Sequence, residues 1–145
     1  MSLQNNLLNL LLSEKQYSIV QKNLKKLNLL SIFTPDESTT LLFLISDLEL
    51  SDTQYKILNQ LGYKKDIVDL CKSKNLTTLS SISSIDNEQA LLVLCYKLHY
   101  VLLKNKNIDL SIIKYFIVEK FDLLNKYKIY DALVQKFIML NDNSL

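Results

Sequence analysis

One histidine and two cysteines hold most of the reactive chemistry open to this chain. His99 follows Cys95 by four residues, a spacing that sets both side chains on one face of a helix. Joined by Cys71 and a carboxylate they would resemble a metal site. A structural zinc site takes four ligands, usually in two close pairs, and only one such pair exists here. As nucleophile and base, Cys95 and His99 have no orienting third group and no evident oxyanion donors. A small buried thiol beside a hydrogen-bonded imidazole accounts for the pair, so no metal, no cofactor and no enzymatic activity is expected. The carboxylate pairs Asp36/Glu37 and Asp66/Asp69 fall in helix first turns, where the dipole favours them, and Asp47/Glu49 flanks a helix end. No Glu-x-x-His occurs, so the di-iron bundle signature is missing.

Residue supply excludes further classes. The chain has 145 residues, with one Gly, one Pro, no Trp and no Arg; all 17 basic residues are Lys, and Leu fills 32 positions. An AT-rich genome is the simplest cause. Without Arg there is no planar fork for bidentate grip on phosphate or guanine. With Gly62 alone there is no glycine-rich phosphate loop. Net charge is +2, with neither a polybasic tail nor an acidic block. A nucleic-acid surface would have to come from Lys22, Lys25 and Lys26, or from Lys120, Lys126, Lys128 and Lys136 beside Tyr127 and Tyr130. Such a surface would be salt-sensitive and largely blind to sequence.

The elements that position these groups read as helices throughout, with apolar residues at helical spacing and no run of alternation. Leu3, Leu7, Leu10 and Leu11 mark a first short helix, and Tyr17, Val20, Leu24 and Leu27 a second near 15–31. Thr34-Pro35-Asp36-Glu37 offers Thr34 as N-cap and Pro35 at the first helical position, ahead of Leu41, Leu44, Ile45 and Leu48. Ser51-Asp52-Thr53-Gln54 is a second capping box, and its helix stops at Gly62. A short helix over 64–74 follows. The Ser/Thr-rich stretch 77–84 reads as a loop, dividing a 1–75 half from an 85–145 half within one helical domain spanning 1–145. Asp86 caps a helix running to about Lys104 that is apolar nearly all round and belongs at the centre of the fold. Asp109 caps a helix carrying Ile113, Phe116, Ile117, Phe121 and Leu124; a turn at Asn125-Lys126 leads to a last helix with Tyr130, Leu133, Val134, Phe137 and Ile138. The expected fold is all-α: a compact bundle of about eight helices around the apolar helix 85–104.

Two resemblances accompany this reading. SEKQYSIVQK (13–22), LGYKKDIVDL (61–70) and NKYKIYDALVQ (125–135) each place a Tyr at a helix-entry turn, which resembles the hairpin grammar of TPR-like α-solenoids, although Tyr17, Tyr63 and Tyr127 follow no period. The helix count around one apolar helix resembles the Bcl-2-like proteins of large DNA viruses, which implies an inhibitor of host signalling; the Asn-Trp-Gly-Arg stretch of that family has no counterpart in a chain without Trp or Arg.

No apolar stretch approaches the roughly 20 residues needed to span a bilayer. The N-terminus shows no basic region ahead of a cleavage site, and the cysteines have apolar flanks, so a reducing compartment, cytoplasmic or nuclear, is expected. Short amphipathic helices cannot turn every apolar face inward. The expected function is therefore a non-enzymatic protein–protein interaction module, with Tyr127, Tyr130 and Phe137 as candidate anchors. The alternative is a nucleic-acid accessory protein that uses its Lys faces.

Overall fold

The computed structural model describes residues 11–30, 36–104 and 108–143, with side chains described as far as residue 140. Among them are nine α-helices, one 3-10 turn and no strand. The helices are α1 (Glu14–Asn28), α2 (Glu37–Ile45), α3 (Asp52–Gln60), α4 (Lys65–Leu70), α5 (Leu79–Ser83), α6 (Glu88–Leu103), α7 (Leu110–Glu119), α8 (Phe121–Lys126) and α9 (Tyr130–Asn143); the 3-10 turn (Ser73–Leu76) lies between α4 and α5. The helix expected around Leu3, Leu7 and Leu10 lies outside the described residues.

Local chemistry sets most boundaries. Ser13 and Ser51 open α1 and α3 with reciprocal capping boxes closed by Gln16 and Gln54. Gly62 ends α3 at φ +97°. Its N–H donates to the Asn59 carbonyl (3.1 Å) and that of Tyr63 to the Leu58 carbonyl (2.8 Å), a Schellman motif. Asp109 caps α7 by accepting from the Ser111 N–H at 2.9 Å.

Five expectations are corrected. Thr34 and Pro35 fall outside the described residues, and Asp36 caps α2, its carboxylate accepting from the Thr39 N–H at 2.7 Å. A carboxylate at the positive helix end combines the cap with the dipole. The cap of α6 is Asn87 and not Asp86, because the Asn87 side-chain carbonyl reaches the Ala90 N–H (2.8 Å). The helix expected over 64–74 breaks at Lys72, whose backbone is extended. There the freed carbonyls of Leu70 and Cys71 accept from the side chains of Asn75 and Lys97, which stand in for the next helical turn. The stretch 77–84 is not a loop throughout. Thr78 caps α5 and accepts from the Ser81 N–H, while the buried Ile82 and Ile85 pin it to the core. Its hydroxyls hydrogen-bond locally, as expected, but in the service of a short helix. The helix expected from Asp109 through Leu124 is likewise two: the chain turns at Lys120, and α9 then returns along α7 and α8.

One apolar cluster runs from Val20 to Leu133. At its centre is α6, buried from Ala90 through His99 without interruption and again at Leu102. α2 is also covered all round, from Thr39 to Ile45. Helices apolar on every side are stable only when other helices surround them, and α6 packs against α1, α2, α4, the 3-10 turn and α9. A helix touching elements from both ends of the described chain makes this a compact helical bundle and not a stack of nearest-neighbour hairpins.

Candidate partner-docking face

The last three helices are covered differently from the rest. On α9, Leu133 alone is fully buried among the described side chains from Tyr130 to Leu140. Tyr130, Val134 and Phe137 recur at helical spacing and are only half-buried, and Ile138 extends that row one turn past Val134. Val118 on α7, Phe121 on α8, and Ile138 and Met139 on α9 are 45–60% exposed. The α7–α8 break places Phe121 where its ring meets Tyr130 edge-on, centroids 4.9 Å apart at 84°.

Of the three expected anchors, Tyr130 and Phe137 lie on this face of α9 and pack partly on the core. Tyr127 sits at its rim, half-buried, with its hydroxyl 3.5 Å from Glu88 Oε1 and the Lys126 ammonium 5.4 Å from its ring centre. Phe121, Ile138 and Met139 were not singled out in the sequence. Phe121 and Ile138 carried the right spacing, but their exposure depends on how α8 and α9 reverse.

Beside Tyr127 the surface turns acidic. A hollow of about 320 Å³ is lined by Asp86, Glu88, Glu119 and Asp122 together with Lys120 and Lys126. Lys126 pairs with Glu88 at 3.2 Å, and that hydrogen bond raises its pKa. Lys120 and Lys126 therefore stand among carboxylates.

The reactive residues are buried. Burial pushes the Cys71 thiol up to about 12 and raises the Cys95 thiol well above its ordinary value, so neither is a thiolate near neutrality. His99 is buried and held below its ordinary pKa, first by desolvation and then by the charge of Lys136. Among the described residues no three His, Cys, Asp or Glu gather where a metal ion could sit.

Lys97, on the nearly all-apolar helix α6, is a buried cation of the core. Its Nζ lies 3.1 Å from Asp47 Oδ1 and donates to the Cys71 carbonyl. Desolvation lowers its pKa and Asp47 opposes that shift. Through these two bonds Lys97 ties α6 to the α2–α3 connection and to the end of α4. No family model, no curated protein and no solved structure matches this chain.

Proposed function

We propose that the chain is a non-enzymatic interaction module that docks another protein on the apolar face of α7–α9, around Phe121, Tyr130, Phe137 and Ile138. One observation carries the reading: α9 has a single fully buried side chain among those described, while Tyr130, Val134 and Phe137 are only partly covered and the neighbouring Val118, Phe121 and Ile138 are 45–60% exposed. Rigid aromatic and aliphatic side chains on adjacent helices are the usual anchors for a partner helix. The acids around Lys120 and Lys126 weigh against phosphate binding at Tyr127 and Tyr130.

The test is capture of a partner from the native source by the full chain, compared with Phe121→Asp, Ile138→Asp and a control, Leu61→Asp, at an exposed site on the far side of the sequence. The reading expects a protein retained by the wild type and the control, lost by the two face variants, and still bound at about 0.5 M salt. Binding lost in salt, or equally retained by all variants, would overturn it.

A further inference from the structure

A second surface, at the C-terminal ends of α1 and α6, is rich in lysine. No acid occurs between Glu14 and Asp36 or between Glu88 and Asp109, while those stretches hold, besides the buried Lys97, Lys15, Lys22, Lys25, Lys26, Lys104 and Lys106. The fold brings the C-terminal ends of α1 and α6 together. Lys26 stands over the Tyr100 ring at 5.3 Å, and Lys104 stands over the same ring at 5.8 Å. Lys22, Lys26 and Leu29 follow one another at helical spacing along α1, as Tyr100, Leu103 and Lys104 do along α6.

Two further features narrow what such a patch binds. Leu29 and Leu103 are 55% and 39% exposed, each one turn from the lysine–tyrosine contacts. An exposed leucine beside ammonium groups gains nothing from a nucleic-acid backbone but gains by burial at the boundary between headgroups and acyl chains. The Tyr100 ring is already faced by two lysines, which leaves it poorly placed to stack a base. The helix C-termini place the negative ends of two dipoles here. The lysines offset those dipoles, and their number exceeds what two helix ends require.

We infer that Lys22, Lys25, Lys26 and Lys104, with Leu29 and Leu103, form a peripheral docking site for an anionic lipid surface. The ammonium groups meet lipid phosphates and carboxylates, and the two leucines enter the interface without spanning it. This fits the finding that no described helix is long and apolar enough to cross a membrane. Each lysine near an anionic surface contributes about 1 kcal/mol, so four lysines and two shallow leucines suffice for reversible binding.

Co-sedimentation of the full chain tests this. One set of vesicles is phosphatidylcholine alone; in the other roughly a third of the lipid is phosphatidylserine. Binding is expected to the anionic vesicles only, weakening steeply as salt is raised to about 0.5 M. Lys26→Glu and Lys104→Glu should each lower the partition coefficient roughly fivefold or more. Leu29→Ser with Leu103→Ser should lower it about tenfold at unchanged charge. These sites are at the surface, so circular dichroism melts should stay close to wild type, and the milder Lys22→Gln and Lys25→Gln serve if a reversal unfolds the chain. Failure to bind either vesicle, equal binding to both, or tighter binding to a single-stranded oligonucleotide than to anionic vesicles would overturn the inference.

Discussion

The side-chain amides of Gln16 and Gln54 hydrogen-bond each other in both directions, Nε2 to Oε1 at 3.1 Å and 2.8 Å. Each Oε1 also accepts from the N–H of its own N-cap serine, Ser13 or Ser51, at 3.0 Å. Each remaining N–H donates to a carbonyl two residues ahead of the other serine: Gln16 to Glu49 (2.8 Å) and Gln54 to Leu11 (2.9 Å). The arrangement is a local two-fold, and it lies on a repeated string. Leu12-Ser13-Glu14-Lys15-Gln16-Tyr17 and Leu50-Ser51-Asp52-Thr53-Gln54-Tyr55 share Leu, Ser, an acid, Gln and Tyr in register. Two capping boxes thus fasten the starts of α1 and α3 to one another, with all four hydrogen-bonding positions of each amide filled.

Breaking that pair should cost more than a surface substitution. Gln16→Glu removes both donors and sets a carboxylate against the Gln54 Oε1, and Gln54→Glu does the mirror image. Each is expected to destabilise the fold by about 1–3 kcal/mol in chemical denaturation. In a double-alanine cycle the two sites should couple by at least about 0.5 kcal/mol. Strict additivity would mean that the mutual hydrogen bonds contribute nothing.

The buried cation is asymmetric in its consequences. Asp47→Ala strands the Lys97 ammonium in the core, with the Cys71 carbonyl as its remaining acceptor. Asp47 is about one-third exposed, so the cost is expected near 2 kcal/mol and not the larger loss of a fully enclosed pair. Lys97→Met removes the buried charge and leaves Asp47 to water, and should cost about 1 kcal/mol or less. Urea titrations that rank the two variants in the reverse order would refute this account.

Among the described residues two helix ends use left-handed residues, and only one is a glycine. Lys128 follows α8 at φ +61°, where the Lys128 and Ile129 N–H groups donate to the Asn125 and Leu124 carbonyls, the same Schellman pattern as at Gly62. Lys128→Gly should raise stability by roughly 0.5–1 kcal/mol by relieving the side chain's steric conflict. Gly62→Ala meets no neighbouring atom, so its cost is purely conformational, about 1–2 kcal/mol. Thermal melts of the two variants should therefore move in opposite directions.

His99 should leave a signature in the pH dependence of stability. Its folded pKa lies below the ordinary 6.5. The unfolded chain therefore takes up the proton first as pH falls. Stability from the neutral buried imidazole is complete above about pH 6.5 and is lost on acidification towards the folded value, at up to about 1.4 kcal/mol per pH unit. Denaturation of wild type and His99→Gln at about pH 7.5 and about pH 5.5 checks this. The wild type should lose more stability between the two, and equal losses would show that His99 does not titrate on unfolding.

Much of the fold was legible in order along the chain. The all-α class, the capping box at Ser51, the N-cap at Asp109, the stop at Gly62 and the central position of the apolar helix all rest on spacing and capping within a few residues. The errors were also local. Asp36 and Asn87 each displaced a neighbour as N-cap, and α5 formed where serines suggested a loop, because Ile82 and Ile85 are buried and the hydroxyls keep local hydrogen bonds within a helical turn. The candidate anchors Tyr130 and Phe137 had the right period, yet a period shows which residues share a face and not whether another helix covers it.

What the sequence by itself determined is therefore the set of rods and most of their ends, since propensity, caps and apolar period act over one or two turns. Only the tertiary structure decided which distant groups meet. The union of Gln16 with Gln54, the hold of Lys97 on Asp47 and the placing of Lys26 over Tyr100 join residues far apart in the chain, and the row on α9 is left partly uncovered because no described helix closes over it. Each depends on how helices cross in the packed core, and no short-range rule along the chain encodes those crossings.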